Sequence, residues 1–568
     1  MVPMQPKLTP TWCFFACALL LLAGCAGQVP PGGGPLDTIP PAVIHTVPDT
    51  NATRVTASGI EIEFSEYVDR RSVEESIFIS PYLGKLEFDW GTTDVTVHFS
   101  DTLRRNTTYV VSIGTDVVDV RANNRMAQGF TLAFSTGDSL DQGSIRGRVF
   151  DDQPNGVVMF AYNLAGIDRD TLNPAHVKPD YIMQTGADGK FQFRNIALST
   201  YRIIAVRDEY KNYIYDREVD AFGVGQGDVT LTAGQQEVSG LQFRLAKEDT
   251  TWPFVASITA ADRYHLTVRF SEPVDTLSIY GATITLTDTF GRGSLRPGAR
   301  VPDLGNTALL AVELIDPLDS ATTYRMRIGG IADRAGNPLD TIHSSSDFTG
   351  TGTPDTIRAA ITVRSITDSS RGIPVGTPLA VQFGRPVSLA PVLTAVRLLD
   401  STKHVVPVTV APRTPAEIIV TPQQPLLSSA WYSLRVVLDS VIDRSGRRFQ
   451  DTTARIDFQT MDLRTTGTID GRVLDVPSPG PAVITAHSVD MTPPRSRSVT
   501  VPKGNTFSMK ELLEGKYRID GYRDEDSNGK YSPGLPYPFT PSERFGTYQD
   551  TVKVRARWGI EGVILKIP

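Results

Sequence analysis

Apolar and polar residues alternate in short runs along most of the chain. Residues Ile60 to Phe64 read Ile-Glu-Ile-Glu-Phe, and residues Leu266 to Phe270 read Leu-Thr-Val-Arg-Phe. Alternation with a period of two indicates strands that have one face buried. Gly, Pro, Asn and Asp interrupt these runs about every ten residues, as they do in β-sandwiches. Helical periodicity is nearly absent, so the sequence predicts an all-β protein.

The chain is too long for one hydrophobic core, because it has 568 residues and a domain typically holds about 100–150. A first kind of repeat occurs three times. Each copy opens with an Asp-Thr pair, continues with a strand that ends in Phe, and carries a Leu followed by a Tyr. The three pairs share one spacing and are Leu103–Tyr109, Leu318–Tyr324 and Leu426–Tyr432.

These copies resemble the bacterial Ig-like domain first described in surface-layer proteins. The resemblance covers three segments, at residues 37–138, 250–352 and 355–461. It is weakest in the third segment, where Gly384 and Arg385 replace a Ser-Glu pair. The repeated spacing also resembles a tyrosine corner, in which a Tyr hydroxyl hydrogen-bonds to the backbone across a sandwich turn. We therefore expect three structural tyrosines: Tyr109, Tyr324 and Tyr432.

A second kind of repeat occurs twice. Residues 143–151 match residues 467–475, and residues 201–208 match residues 517–524. Both copies resemble the carboxypeptidase regulatory-like, or transthyretin-like, β-sandwich, at residues 142–246 and 466–568. In that family the domain accompanies enzymes and receptors and is not itself catalytic. We number the five segments domains 1 to 5 in chain order, and their short joints predict tandem Ig-like and transthyretin-like β-sandwiches in a multi-domain rod.

The N-terminal segment has the organisation of an export signal. Lys7 precedes an apolar run of about a dozen residues, the size of a signal-peptide core and well short of the roughly 20 residues that span a bilayer. The run ends in Leu22, Ala23, Gly24 and Cys25, which resemble a bacterial lipobox. That resemblance implies cleavage before Cys25 and lipidation of its thiol. We expect a signal peptide at residues 1–24 and a Gly/Pro tether at residues 25–36.

The cysteines agree with this interpretation. Cys13, Cys17 and Cys25 all lie in or at the end of the signal segment, so the processed chain would have neither a disulfide nor a thiolate metal site. An ordinary secretory signal with a chance Cys stays open as the alternative. Residue 26 is Ala, whereas Asp there retains enteric lipoproteins in the inner membrane. That resemblance favours the outer membrane of a Gram-negative bacterium and leaves the face of the membrane open.

One short motif resembles a catalytic block. Gly137-Asp-Ser-Leu140 is similar to the nucleophile block of GDSL hydrolases, and Asp340-Thr-Ile-His343 is similar to their Asp-x-x-His. The resemblance would imply a triad of Ser139, Asp340 and His343. That serine should follow a strand and precede a helix, whereas Ser139 lies in a joint of an all-β chain. Triads are defined by geometry and not by letters, so we expect no catalytic residue and no enzyme.

A second motif offers oxygen ligands. Asp524-Glu-Asp526-Ser-Asn528-Gly is the front half of an EF-hand-type calcium loop. The back half is missing, because Leu535 stands where that loop has a bidentate Glu. Two interpretations stay open: a hairpin turn that needs these residues for its backbone, or a calcium-binding turn that uses Asp524, Asp526 and Asn528. Apart from this possible calcium, we expect no cofactor.

Near the C-terminus, Lys553, Arg555 and Arg557 alternate. The alternation predicts positive charge on one strand face, with Val552, Val554 and Trp558 on the other. That face could meet an anionic glycan, although a solvated face is the simpler interpretation.

The net charge is −7 with acids and bases interspersed, which argues against a nucleic-acid partner. The leading hypothesis is a non-enzymatic scaffold of the cell envelope, anchored to a membrane by lipid, that docks a protein or glycan partner. Two alternatives remain. One is an accessory subunit of an outer-membrane assembly or a polysaccharide-processing system, and the other is a GDSL-type serine hydrolase.

Overall fold

A computed structural model describes residues 37–81, 83–356, 361–363, 365–439, 441–443, 448–449, 452–475, 480–502 and 505–568. The expected signal peptide, Leu22, Ala23, Gly24, Cys25 and the tether lie outside these residues. The described part of the chain is almost entirely β, which confirms the all-β prediction. None of its helices has the length and apolar character needed to cross a bilayer.

The chain divides into two compact units. The first contains residues up to Ser144 together with Gln153–Gly156 and Tyr181–Ala197. The second contains Ile145–Asp152, Val157–Asp180 and Leu198–Pro568.

Domain 1 is a sandwich of two antiparallel sheets in the first unit. Its strands are β1 (Val43–Val47), β2 (Gly59–Phe64), β3 (Ile77–Ser80), β4 (Leu86–Trp90), β5 (Asp94–Phe99), β6 (Thr108–Ile113) and β7 (Phe130–Ser135). The sheet orders are β1-β2-β5-β4 and β3-β6-β7. Ile60, Ile62 and Phe64 alternate into the core from β2, as the pattern predicts.

Domain 2 is divided between the two units. Its strands are β8 (Gly143–Phe150), β9 (Val158–Asn163), β10 (Tyr181–Gln184), β11 (Lys190–Ile196), β12 (Thr200–Arg207), β13 (Ala221–Val224), β14 (Val229–Thr230), β15 (Glu237–Arg244) and β16 (Ala246–Lys247). In the second unit β9, β12, β13 and β16 are neighbours in one sheet, and β14 also pairs with β12. Strands β10 and β11 belong to the first unit.

Polar contacts explain why β10 groups with domain 1. The Gln184 side chain donates to Asp116 (2.9 Å) and accepts from the Asp116 amide (3.3 Å). The Thr115 hydroxyl donates to the Thr185 carbonyl (3.3 Å). The compact units therefore do not follow the domain boundary that the repeats suggest at this point.

Domain 3 has two four-stranded antiparallel sheets. Its strands are β17 (Val255–Ala260), β18 (His265–Phe270), β19 (Thr283–Asp288), β20 (Ser294–Leu295), β21 (Pro297–Pro302), β22 (Leu309–Leu314), β23 (Thr323–Gly329) and β24 (Ser345–Thr349). The sheet orders are β17-β18-β22-β21 and β20-β19-β23-β24.

Domain 4 repeats this arrangement and adds an edge strand, paired in parallel, to its second sheet. Its strands are β25 (Ile361–Val363), β26 (Ser370–Ile373), β27 (Leu379–Phe383), β28 (Val396–Asp400), β29 (Val405–Val406), β30 (Val408–Thr414), β31 (Glu417–Pro422), β32 (Trp431–Val437) and β33 (Thr453–Thr460). The sheet orders are β25-β27-β31-β30 and β26-β33-β32-β28-β29. Domains 3 and 4 each have a hydrophobic core of their own.

Domain 5 completes the second unit. Its strands are β34 (Thr466–Asp475), β35 (Ala482–Ser488), β36 (Ser496–Val501), β37 (Thr506–Leu513), β38 (Gly515–Arg523), β39 (Phe545–Thr547), β40 (Val552–Val554) and β41 (Gly559–Ile567). The sheet orders are β37-β34-β41 and β36-β35-β38-β39, and β40 also pairs with β38. The arrangement of β35, β38, β39 and β40 repeats that of β9, β12, β13 and β14 in domain 2.

In the described residues of the Ig-like domains, three short α-helices lie between strands: α1 (Arg70–Glu74), α2 (Thr276–Gly281) and α3 (Leu389–Ala395). Asp69 caps α1 by accepting from the Ser72 amide (2.8 Å), and Asp275 caps α2 by accepting from the Ser278 amide (3.0 Å). Ser388, before α3, makes no such side-chain bond. The helices have too few turns to produce the periodicity by which sequence analysis recognises helices.

Within the second unit, domains 2 and 5 contact each other. The Arg244 guanidinium pairs with Asp520 (3.2 Å), and the Arg202 guanidinium lies 3.8 Å from the ring centroid of Phe539. The Ser542 amide also donates to the Gly225 carbonyl (3.2 Å). A rod of five domains joined end to end does not predict this contact, so the second unit departs from that expectation.

Candidate functional site

The three repeated tyrosines have the geometry of tyrosine corners. The Tyr109 hydroxyl accepts from the Arg104 amide (2.8 Å). Tyr324 accepts in the same way from the Asp319 amide (3.1 Å), and Tyr432 accepts from the Leu427 amide (2.8 Å). Each ring also stacks on the Phe of the closing strand: the pairs are Tyr109–Phe134, Tyr324–Phe348 and Tyr432–Phe458. These side chains are occupied by structural contacts.

A cluster of acidic side chains lies where the chain enters domain 3. One carboxylate oxygen from each of Asp249, Glu272 and Asp333 lies within 4.8 Å of the others. Burial raises the pKa of Glu272, and the charges of Asp249 and Asp333 raise it further. In domain 1, burial and the charges of two aspartates raise the pKa of Glu66. Asp249, in the Asp-Thr pair before domain 3, and Asp333, which follows β23, are therefore close together in space.

Domain 4 has the opposite charge at the position of Glu272. Arg385 is 9% exposed and donates two hydrogen bonds to Asp355, of 2.6 and 2.8 Å. Its guanidinium also lies 3.9 Å from a carboxylate oxygen of Asp443 and 3.9 Å from one of Asp262. Burial lowers the pKa of Arg385, but the hydrogen bonds with Asp355 and the charges of Asp355, Asp262 and Asp443 together raise it. In the sequence alone, Arg385 is only a departure from the repeated motif.

The structure joins two members of the GDSL-like triad. His343 Nδ1 lies 2.5 Å from Asp340 Oδ2, and the hydrogen bond with His343 lowers the pKa of Asp340. Ser139 is exposed and belongs to the first unit. The element that follows Ser139 is strand β8 and not a helix, so its surroundings are not those of the hydrolase nucleophile.

The candidate calcium turn lies in the loop between β38 and β39. One carboxylate oxygen from each of Asp524, Asp526 and Glu543 lies within 4.8 Å of the others. Glu543 comes from the far end of the loop and lies outside the sequence motif that predicts the turn. Burial raises the pKa of Glu543, while a hydrogen bond from Ser532 lowers the pKa of Asp526.

Asn528 has a different position from the one expected for a ligand. Its Oδ1 accepts from the Lys530 amide (2.7 Å), and its Nδ2 donates to Asp526 (2.8 Å) and to Ser532 (2.9 Å). The side chain thus braces Asp526 and closes the turn. Gly529 follows with a φ of 76°, a conformation that favours glycine.

The basic residues near the C-terminus are exposed, as the alternation predicts. Lys553, Arg555 and Arg557 all face solvent, and Val554 is buried. Trp558, expected on the buried side, is 68% exposed. That expectation was wrong because β40 ends at Val554, so the alternation does not continue to residue 558.

Comparison with protein-family models finds one match. The model described as a bacterial Ig-like domain matches residues 37–136, 249–350 and 355–460, which together exceed half of the chain. Among proteins with curated descriptions, none matches the sequence.

Solved structures give distant matches. The N-terminal part of the bacterial S-layer protein SbsC is 18% identical over 37% of this chain, with a TM-score of 0.17, and the match spans 44% of that structure. Domains 1–6 of surface layer protein SbsC are 9% identical over 92% of this chain and 67% of that one, with a TM-score of 0.15. An L,D-transpeptidase from Mycobacterium smegmatis is 17% identical over 37% of this chain and 90% of its own, with a TM-score of 0.14.

Proposed function

Because the chain belongs to the bacterial Ig-like domain family, we propose that it is a non-enzymatic scaffold of the bacterial cell envelope. The scaffold would be tethered to a membrane by lipid and would dock a partner on domain 5. The predicted Ig-like repeats are confirmed by the family match, and they account for more than half of the chain.

The observation that supports a scaffold is that the candidate polar and aromatic side chains make structural contacts. Tyr109, Tyr324 and Tyr432 stabilise the corners of the sandwiches. Arg385 pairs with the buried carboxylate of Asp355 at the start of domain 4. His343 is paired with Asp340 on the surface of domain 3. These contacts build domains and joints, and none of them places a nucleophile beside a base.

The anchor belongs to the proposal and rests on the sequence. Leu22-Ala-Gly-Cys25 would supply the lipidation site, and the Gly/Pro tether would separate the lipid from domain 1. A single acyl chain anchors only marginally, so a stable anchor needs the several chains that a lipoprotein carries. We propose the outer membrane as the location, and we propose that domains 2 and 5 are carboxypeptidase regulatory-like sandwiches because they repeat one strand arrangement.

Domain 5 offers a surface for a partner. Lys553, Arg555 and Arg557 are exposed beside Trp558, which presents its ring to solvent. An exposed aromatic ring with a polar edge suits an interface that is partly apolar, and three cations favour a negatively charged partner. Of the two partner classes, this surface favours an anionic glycan over a protein.

The test is affinity capture from intact membranes with the tagged full chain. We expect acidic, protease-resistant material to bind, and we expect Trp558→Ala to reduce the captured amount several-fold. Trp252→Ala is the matched control, because Trp252 is also exposed (54%) but lies at the start of domain 3.

Three outcomes would contradict parts of the proposal. Capture that protease digestion abolishes would indicate a protein partner, as in an accessory subunit of an envelope assembly. Capture that does not depend on Trp558 would place the docking surface elsewhere. Recovery of the scaffold alone would contradict docking and leave a passive structural role.

A further inference from the structure

The loop between β38 and β39 carries three carboxylates that share one space. Asp524 and Glu543 are each 5% exposed, and Asp526 reaches them from the solvent side. Like charges this close repel strongly, and the repulsion grows as they leave water. Among the described residues, no lysine, arginine or histidine forms an ion pair with any of the three. The neighbouring Arg544 pairs with Glu525 instead (3.0 Å).

One oxygen of this cluster lacks a partner. Asp524 Oδ2 accepts from the Gly529 amide (3.0 Å), but Asp524 Oδ1 is buried and accepts no hydrogen bond. A buried carboxylate oxygen without a donor is costly, and such groups in native proteins commonly mark a missing water or ion. The unpartnered oxygen and the uncompensated negative charge point to the same kind of ligand, a cation.

Domain 2 provides an internal control for this loop. Asp208 stands in the position of Asp524, and its two oxygens accept from the amides of Asn212 (3.2 Å) and Tyr213 (2.8 Å). Asp220 stands in the position of Glu543, because each accepts from the amide that follows the first aspartate. The domain 2 loop therefore satisfies its first aspartate with backbone donors, and the domain 5 loop does not.

We propose that the loop of domain 5 binds a calcium ion through Asp524, Asp526 and Glu543. Calcium takes oxygen ligands in a flexible geometry and accepts carboxylates, carbonyls and water together. Glu543 supplies the carboxylate that the incomplete sequence motif lacks at its twelfth position. Asn528 holds Asp526 in place and does not bind the ion.

The same loop makes the contact with domain 2. The Phe539 ring lies under Arg202, and Ser542 donates to the Gly225 carbonyl. The Arg244 guanidinium lies 4.9 Å from the ring centroid of Tyr531. A calcium ion that joins Asp524 to Glu543 ties the two ends of this loop, so ion binding and docking on domain 2 reinforce each other.

The first test measures calcium binding to the detergent-solubilised full chain after chelation. Titration calorimetry and thermal unfolding should show a saturable site with a Kd of about 10⁻⁵ to 10⁻³ M. Asp524→Asn and Glu543→Gln should each weaken binding at least tenfold. The matched control Asp208→Asn should leave the affinity unchanged, because Asp208 already has its donors. Absence of heat and of any melting shift at millimolar calcium would overturn the site.

A second probe guards against misfolded variants. Terbium replaces calcium at oxygen sites, and Tyr531 of the loop should sensitise its luminescence. Glu543→Gln keeps an oxygen that can accept from the Glu525 amide, so its fold should persist while the luminescence falls. Equal luminescence in the wild type, Asp524→Asn and Glu543→Gln would contradict the proposed ligands.

A separate variant tests the coupling between calcium binding and the contact of the loop with domain 2. Phe539→Ala removes the ring under Arg202 without touching a ligand, and reciprocity requires that weaker docking also weakens calcium binding. We expect a several-fold loss of calcium affinity. An unchanged affinity would refute the coupling, and the titration of Asp524→Asn would still decide the site.

Discussion

Domains 3 and 4 share one sandwich fold but close their N-terminal joints with opposite charges. In domain 3, Glu272 lies among carboxylates of Asp249 and Asp333. In domain 4 the corresponding residue is Arg385, which bonds Asp355 and lies near Asp443. Both joints contain acidic side chains. In domain 4 the residue among them is an arginine, which supplies a positive charge, whereas in domain 3 it is a third carboxylate.

The largest effect is expected from Arg385→Ala. The variant removes the cation that bonds Asp355 and lies near Asp443. Removing one partner of a buried ion pair costs about 3–5 kcal/mol. Domain 4 should lose that much stability, measured as faster hydrogen exchange in β31, β32 and β33 of the full chain.

The control for Arg385→Ala is Arg455→Ala in the same domain. Arg455 pairs with Asp457 on the surface (2.7 Å), and exposed pairs contribute little. If Arg385→Ala destabilises domain 4 no more than Arg455→Ala does, the buried arginine does not contribute the stability that we assign to it.

A smaller difference should separate the helix caps of the two domains. Asp275→Ala removes the bond to the Ser278 amide and should cost domain 3 about 1 kcal/mol. Ser388→Ala should cost domain 4 much less, because Ser388 makes no side-chain cap bond. Hydrogen exchange of α2 and α3 measures both, and a similar change in the two helices would contradict the assigned caps.

The smallest effect depends on pH. Burial, together with the charges of Asp249 and Asp333, raises the folded-state pKa of Glu272 above its unfolded value. Its contribution is therefore fully present below the unfolded pKa, about 4.3, and is lost as pH rises through the folded pKa. Glu272→Gln should match the wild type near pH 4 and be the more stable of the two at pH 7.

The measurement is the urea midpoint of domain 3 at several pH values. The Thr251 hydroxyl that donates to Glu272 (3.1 Å) can also donate to the Gln oxygen, so that bond should persist. A stability difference that stays constant between pH 4 and pH 7 would rule out this effect.

Strand alternation and the repeated motifs predict the all-β class and the Ig-like repeats, because both are properties of local sequence. The helices α1 and α2 are too short to show a helical period in the sequence. Asp69 and Asp275, at the same position of the first two copies, nevertheless mark where they start. Arg385 seemed only to weaken the family match. Its compensating role depends on Asp355 and Asp443, and only the fold brings the three together.

The candidate calcium turn was half predictable. Asp524 and Asp526 lie two residues apart in one motif, but Glu543 comes from the other end of a loop that has no regular pattern. Asp220, just before β13 in the sister copy, was the available signal. The contact of Arg202 with Phe539 joins domains that are distant in the chain, and no local pattern encodes it.

We propose that the scaffold is held to a membrane by lipid on Cys25. Labelling cells with a radioactive fatty acid and fractionating wild type and Cys25→Ser tests this anchor. We expect the wild type to be labelled, shortened by its signal peptide and recovered with membranes. Cys25→Ser should be unlabelled and either unprocessed or soluble. A Cys25→Ser chain that is still labelled, processed and recovered in the detergent phase would rule out lipid anchoring at Cys25.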